Sequence, residues 1–341
     1  MKAIVLEQPG QLTLREVERP RAAGPGEALV RVKRVGICGT DLHAFGGEQN
    51  FFSYPRIMGH ELAVEILDIG ATDAELNYAV GDLCCVIPYM NCGACIACRR
   101  GKSNCCTQMQ VLGVHIDGGM REQFSVPVDK LLKADGVAVE HLALVEMLCI
   151  GAHAAKRARI SPGEKTLVIG AGPIGLATAQ FAKVAGADVM VMEVNERRLD
   201  FCAAVLGIDK LIDGRGDAMG QVKDLLGGEL PTLVFDCTGS AKSMAAAFDY
   251  VAHGGSLVLV GHITGDIRFS DPHFHSRELK LLASRNATPE DFSWVIRSLR
   301  AGEINLAPWI THRAGPESIV LEFPSWLDPA TGVIKAMLSF D

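Results

Sequence analysis

The stretch "KTLVIGAGPIGLATAQFAKVAGADVMVMEVNERRLDFCAAVLG" constrains the fold of this chain more than any other part. A β-prone run over 166–169 leads into Gly170, Gly172 and Gly175, spaced Gly-x-Gly-x-x-Gly. A helical stretch follows at once, then a second β-prone run over 188–192 and another helical stretch. Alone, the glycine motif says little. Between a strand and a helix it forms a cradle for a dinucleotide pyrophosphate at the helix N-terminus. Pro173 suits the first helical position, where an N–H needs no partner, and Ile174 belongs to the same cofactor-holding turn. Glu193 stands 18 residues after Gly175, about where an acid hydrogen-bonds the adenosine ribose hydroxyls. A carboxylate there repels a 2′-phosphate, so NAD is expected rather than NADP. Arg198, placed to stack on adenine or to meet a phosphate, keeps NADP open.

Further strands are predicted over 232–239, 255–262 and 279–284, with helical stretches around 217–226 and 240–251. Strands alternating with helices imply an α/β domain built on a parallel, doubly wound sheet. Ligands sit at strand ends in such sheets, so Thr238, Val260, Gly261, Arg285 and Asn286 are candidates for the nicotinamide side. The part up to about residue 150 reads differently. Short β-like runs such as "EALVRVKRVGI" and "HELAVEILDIG", broken by Gly and Pro turns, suggest a β-rich barrel. The last segment, with "APWITHRAG" and "TGVIKAMLSF", is again strand-rich. A length of 341 residues is enough for two domains.

Five cysteines fall within "CGACIACRRGKSNCC". The N-terminus "MKAIVLEQPG" shows no secretory pattern, so the cytoplasm is the expected location and disulfides are not expected. The spacing Cys92-x2-Cys95-x2-Cys98-x7-Cys106 offers four thiolates to a tetrahedral zinc, with no coordination position left open. Such a closed site is structural, and metal binding there is part of folding. Arg99, Arg100 and Lys102 are placed to offset its negative charge. A register with Cys105 in place of Cys106 is the alternative; ferredoxin spacing, ending Cys-x3-Cys-Pro, is not matched. The scattered Cys84, Cys85, Cys149, Cys202 and Cys237 read as small core residues.

A second metal site is of a different kind. "VGICGTDLHAFGG" carries Cys38, Thr40, Asp41 and His43, and "PRIMGHELAVEILDIG" carries His60 and Glu61. One sulfur, one imidazole and one carboxylate make the ligand set of a catalytic zinc. Glu146 lies in the apolar run "LALVEMLCIGAHAA". A buried carboxylate needs a compensating partner, and a metal ion is one.

Cys-Gly-Thr-Asp-x-His, then Gly-His-Glu, then the four-cysteine lobe, together resemble the zinc-dependent medium-chain alcohol and polyol dehydrogenase family. The resemblance runs nearly the whole length. It implies a GroES-like catalytic domain over 1–150 and 286–341, discontinuous in sequence, and a Rossmann NAD-binding domain over 151–285. It implies a catalytic zinc on Cys38 and His60, with Glu61 and Glu146 as direct or water-bridged ligands. Which carboxylate binds directly stays open. It places Val260 and Gly261 near the carboxamide, a cleft between domains as the meeting place of zinc and nicotinamide, and a homo-dimer or homo-tetramer as the assembly. Glutamate at 146, where simple alcohol dehydrogenases often carry cysteine, is similar to the sorbitol, threonine and sugar-acid branches.

The implied reaction is reversible oxidation of a secondary alcohol to a ketone. Zinc acidifies an alcohol hydroxyl. Thr40 is placed to pass the proton on and His43 to deliver it to solvent. The stretch "HFHSRELKLLASRNATPEDF" is similar to L-galactonate and L-idonate 5-dehydrogenases. His115, Arg56 and Arg121 are candidates to meet a substrate carboxylate, with fold-supporting roles as the alternative. Phe51 and Phe52 either line the pocket or pack in the core. A net charge of −7 argues against nucleic acid and anionic membrane as partners. The competing readings are a threonine or simple alcohol dehydrogenase of the same family, and a non-catalytic NAD and zinc sensor.

Overall fold

The computed structural model describes residues 1–49 and 52–340. Phe51 lies outside the described residues. The chain divides into two compact units: Met1–Glu146 with Thr288–Gly302 and Leu306–Asp341, and Met147–Ala287 with Glu303–Asn305.

The second unit carries a six-stranded sheet whose pairings are all parallel. Its strands lie in the order Lys210–Asp213, Asp188–Glu193, Lys165–Ile169, Leu233–Asp236, Ser256–Leu259, Lys280–Ala283. The central strands are apolar on both faces, because helices cover a parallel sheet above and below. Leu233, Val234, Phe235 and Asp236 are all buried. Each fully buried Leu, Val or Phe contributes about 1.5–3 kcal/mol. The strand Lys210–Asp213 was not anticipated from sequence. It is a four-residue edge strand with one fully buried side chain, so it lacks the apolar run that marks its neighbours. Asp188 ties it in, accepting from Lys210 at 2.6 Å and from Lys165 on the other side.

The strand order reverses between Lys165–Ile169 and Leu233–Asp236, and ligands bind outside the strand ends at such a point. The helix Pro173–Val184 starts there, with Gly172 as N-cap and proline in its first turn. A Cβ on Gly175 would lie 1.8 Å from the Gly170 carbonyl oxygen. Only glycine lets helix and turn approach so closely.

The first unit is β-rich, as expected. Its larger sheet runs Leu131–Lys133, Leu83–Val86, Glu61–Ile69, Glu27–Ile37, Lys335–Ser339, Ile310–Ala314, with Gln123–Pro127 also paired to Glu27–Ile37. A three-stranded sheet is formed by Gln11–Glu16, Lys2–Gln8 and Arg56–Ile57. Val30, Val32, Leu62, Val64, Phe124 and Leu338 form part of the core around them. The register of the larger sheet builds a site. Gly36 sits opposite Glu61, Ala336 sits opposite Ile37, and Cys38 follows directly. Three strand ends therefore deliver Cys38, Glu61 and Lys335 to one place.

No helix among the described residues is long and apolar enough to cross a membrane.

Candidate metal centres and nucleotide site

The ligand atoms of Cys38, His60 and Glu61 all lie within 4.8 Å of one another. Cys38 caps the helix Gly39–Gly46, and its N–H donates to the Asp41 carboxylate at 2.9 Å. The same carboxylate lies 4.0 Å from His60 Nδ1. Neither His60 Nδ1 nor Asp41 Oδ1 has a hydrogen-bond partner among the described residues. A metal-binding histidine commonly turns its second ring nitrogen to a carboxylate; Asp41 stands on the Nδ1 side of His60, beyond hydrogen-bond distance.

The electrostatics call for a cation. Asp41, Glu61 and Glu146 are all buried. Burial raises the Asp41 carboxyl pKa. Burial also raises that of Glu146, with Glu61 adding to the effect and His60 opposing it. His60 is raised well above its ordinary value: burial opposes its charge, but Cys38, Asp41 and Glu146 outweigh burial. A divalent ion supplies the missing positive charge, and the donor set of sulfur, nitrogen and oxygen suits zinc.

Two residues that sequence reasoning missed complete this environment. Lys335 is 1% exposed, and its ammonium donates to Glu61 Oε1 at 2.7 Å, Glu61 Oε2 at 2.9 Å and the Ile37 carbonyl at 3.0 Å. All three N–H groups are thus used. The signal was present in "TGVIKAMLSF": a charge inside an apolar β-run needs a partner. Tyr89 donates its hydroxyl to Glu146 Oε1, and a lone tyrosine gave no warning of that. Glu146 opens the helix Val145–Ala158 and is not part of the three-ligand cluster.

Thr40 Oγ1 stands 3.7 Å from the Cys38 sulfur. His43 is exposed and meets Glu48 at 3.0 Å. The basic candidates have protein partners. Arg56 pairs with Asp117 at 3.2 Å and with Ser53. Arg121 lies over the Phe124 ring at 5.2 Å, and burial lowers its pKa. His115 accepts at Nδ1 from the Val111 N–H. Phe52 packs on Tyr54, with ring centroids 5.0 Å apart.

In the cysteine lobe, Cys92, Cys95, Cys98 and Cys106 form a second cluster, and exposed Cys105 stands outside it. The sulfur of Cys95 lies 3.5 Å from that of Cys98 and 3.9 Å from that of Cys106, which is 3.5 Å from Cys92. Four sulfurs about 2.3 Å from a tetrahedral zinc would lie about 3.8 Å apart, so the spacing fits. Backbone N–H groups of Cys98 and Thr107 pull the Cys95 thiol down to about 5. Those of Ala94 and Cys95 lower Cys92. Cys84, Cys85, Cys149 and Cys202 are buried, whereas Cys237 is half-buried and lines a cavity in the second unit.

That cavity, of about 570 Å³, is also lined by Gly170, Gly172, Glu193, Arg198, Thr238 and Lys242. Glu193 is 7% exposed. Its Oε2 accepts from the Ala171 N–H at 2.6 Å, and its Oε1 from the N–H groups of Val194 and Asn195 at 2.7 and 3.0 Å. The carboxylate thus braces the glycine turn and keeps acceptor capacity for ribose hydroxyls. Arg198 reaches within 4.0 Å of Glu193 Oε2. Lys242, on the helix Ala241–Ala246, is a cation that the sequence reading passed over. Val260 and Gly261 follow the strand Ser256–Leu259, and Arg285 and Asn286 follow Lys280–Ala283; none of the four lines this cavity.

Comparison with known proteins agrees with this geometry. Residues 24–136 match the alcohol dehydrogenase GroES-like domain and residues 173–301 the zinc-binding dehydrogenase domain. L-galactonate-5-dehydrogenase of Escherichia coli is 44% identical over 313 residues, covering 92% of this chain and 91% of that protein. L-idonate 5-dehydrogenase of Vitis vinifera is 32% identical over 304 residues, covering 85% of this chain and 81% of that protein. Among solved structures, the E. coli alcohol dehydrogenase RspB, crystallised with NADH, superposes with a TM-score of 0.92 at 31% identity, covering 100% of this chain and 99% of that one. The chain belongs to the family of zinc-binding alcohol dehydrogenases with a GroES-like domain.

Proposed function

We propose that this chain is a zinc-dependent, NAD(H)-linked dehydrogenase that interconverts a secondary alcohol of a sugar acid or polyol with its ketone. One observation carries the reading: the half-buried Cys38 sulfur clusters within 4.8 Å of a buried imidazole and a buried carboxylate, in a chain 44% identical to an L-galactonate-5-dehydrogenase.

In this reading residues 1–150 and 286–341 hold the metals and residues 151–285 hold NAD. Cys38, His60 and Glu61 or Glu146 hold the catalytic ion; Cys92, Cys95, Cys98 and Cys106 hold a structural one. Zinc, when bound, acts as a Lewis acid on the alcohol oxygen. The chain's residues do the rest. Thr40 takes the hydroxyl proton and His43, exposed to solvent, releases it. Glu146, steadied by Tyr89, sets the charge around the site. The glycine turn of Gly170, Gly172 and Gly175 receives the pyrophosphate, with Pro173 and Ile174 opening the helix behind it. Glu193 takes the adenosine ribose hydroxyls, and Arg198 stacks on the adenine or meets a phosphate; Thr238, Val260, Gly261, Arg285 and Asn286 border the nicotinamide half. NAD, when bound, would supply the acceptor for the carbinol hydride, so that ketone, NADH and one proton would be the products. The location we propose is the cytoplasm, a reducing compartment in which thiols such as those of Cys92, Cys95, Cys98 and Cys106 stay available to hold a metal.

A panel of sugar acids, polyols, threonine and simple alcohols, read by NADH absorbance, tests the proposal. Turnover is expected with sugar acids or polyols and lost in Cys38→Ser, with NADH binding retained. Turnover of primary aliphatic alcohols alone, or full activity in Cys38→Ser, would overturn it.

A further inference from the structure

We propose that Asp236 is a positioning residue for the dinucleotide, shaping two adjoining loops from one buried place at a strand end. Asp236 closes the strand Leu233–Asp236 and is 0% exposed. Its carboxylate faces the loop 237–240 rather than solvent. Oδ1 accepts from the Thr238 N–H at 2.9 Å and from the Thr238 hydroxyl at 2.7 Å. Oδ2 accepts from the Ser243 hydroxyl at 2.6 Å. The Thr238 hydroxyl in turn accepts from the Ser240 N–H at 3.1 Å. A buried carboxylate with three side-chain bonds is strongly placed, and loss of the Ser243 hydroxyl would take the donor from Oδ2.

The same residue's main chain holds the neighbouring loop. Its carbonyl accepts from the N–H groups of both Val260 and Gly261, each at 2.9 Å. The two loops touch: a Cβ on Gly261 would lie 2.5 Å from the Gly239 nitrogen. Thr238, Ser240, Lys242 and Ser243 all line the nucleotide cavity. Side chain and carbonyl of Asp236 thus fix one cavity wall and the loop packed against it. A cofactor wall built in advance loses less ordering entropy on binding. Nothing in the glycine motif or the Glu193 spacing points to Asp236, which in sequence is one more strand residue.

The proposal rests on this cavity being the NAD site, and wild-type NADH binding by calorimetry tests that premise separately. Asp236→Leu removes both side-chain acceptors, keeps the branched side-chain shape and leaves the carbonyl bonds to Val260 and Gly261 in place. Asp236→Asn keeps an oxygen for Thr238, and the Ser243 hydroxyl can rotate to accept from the new amide. NADH affinity should fall at least about tenfold in the Leu variant and stay within about threefold of wild type in the Asn variant. KM for NAD should rise with kcat and zinc content unchanged, a split that a general loss of stability does not produce. Should the Leu variant not fold, Ser243→Ala and Ser243→Thr take its place, with weaker NADH binding expected only in Ala. Unchanged NADH affinity in Asp236→Leu or Ser243→Ala would overturn the proposal. Equal loss in Leu and Asn would overturn it too, since charge rather than loop shape would then be responsible.

Discussion

Lys335→Met tests the buried pair that Lys335 forms with Glu61 of the Cys38–His60–Glu61 cluster. Lys335 and Glu61 are 1% and 0% exposed, and both Glu61 oxygens face the ammonium. Burial works against the Lys335 charge, yet Glu61, Cys38 and Glu146 outweigh it and raise its pKa. Methionine keeps most of the side-chain volume and removes the charge. Glu61 is then buried without its partner, and the Ile37 carbonyl loses a donor. Removing one member of a buried pair costs about 3–5 kcal/mol, so we take about 4 kcal/mol. For a unit of this size that is a fall of about 8–16 °C in melting temperature.

The chain has three tryptophans, Trp294, Trp309 and Trp326, and all lie in the unit that contains the pair. Tryptophan fluorescence therefore follows melting of that unit. The fall should be largest in chelator, because a metal ion beside Glu61 supplies part of the lost positive charge. Adding Glu61→Gln to Lys335→Met should recover at least about half of the loss in chelator, since the orphaned charge is gone. Melting of Lys335→Met within about 2 °C of wild type in chelator would refute the reasoning.

Cys95→Ser should lower bound zinc from two ions to one per chain, and sensitise the loop 92–106 to proteolysis, while NADH binding persists; two retained ions would contradict the four-sulfur assignment. Asp188→Asn probes a surface network across three strands. Hydrogen bonds from Lys165 and then Lys210 lower the Asp188 pKa. Its contribution is therefore present above the unfolded carboxyl pKa and lost as pH falls through the lower folded value. The groups are partly exposed, so the variant should lose only about 0.5–1 kcal/mol at pH 7 by circular dichroism melting, with the gap closing toward pH 3. A gap that stayed constant over that range would contradict the charge argument.

Much of this protein was legible in its sequence because the signals were local. Turn, helix start and strand end around Gly170 to Glu193 are separated by few residues, so spacing alone specifies their geometry. The same holds for Cys92 to Cys106, where two short hairpins and a return bring four sulfurs together. Other features depended on which distant strands become neighbours. Lys335 and Glu61 are 274 residues apart and meet only because both strands flank Glu27–Ile37. The grouping of Glu61, rather than Glu146, with Cys38 and His60 follows from that register. Asp236 became a hub only when the parallel sheet set the loops after two adjacent strands side by side. Sequence by itself determined the chemistry available and the local shapes that present it. Tertiary structure decided which charges are buried together, because contact across a sheet depends on strand order and register, and neither is written in the spacing of any one segment.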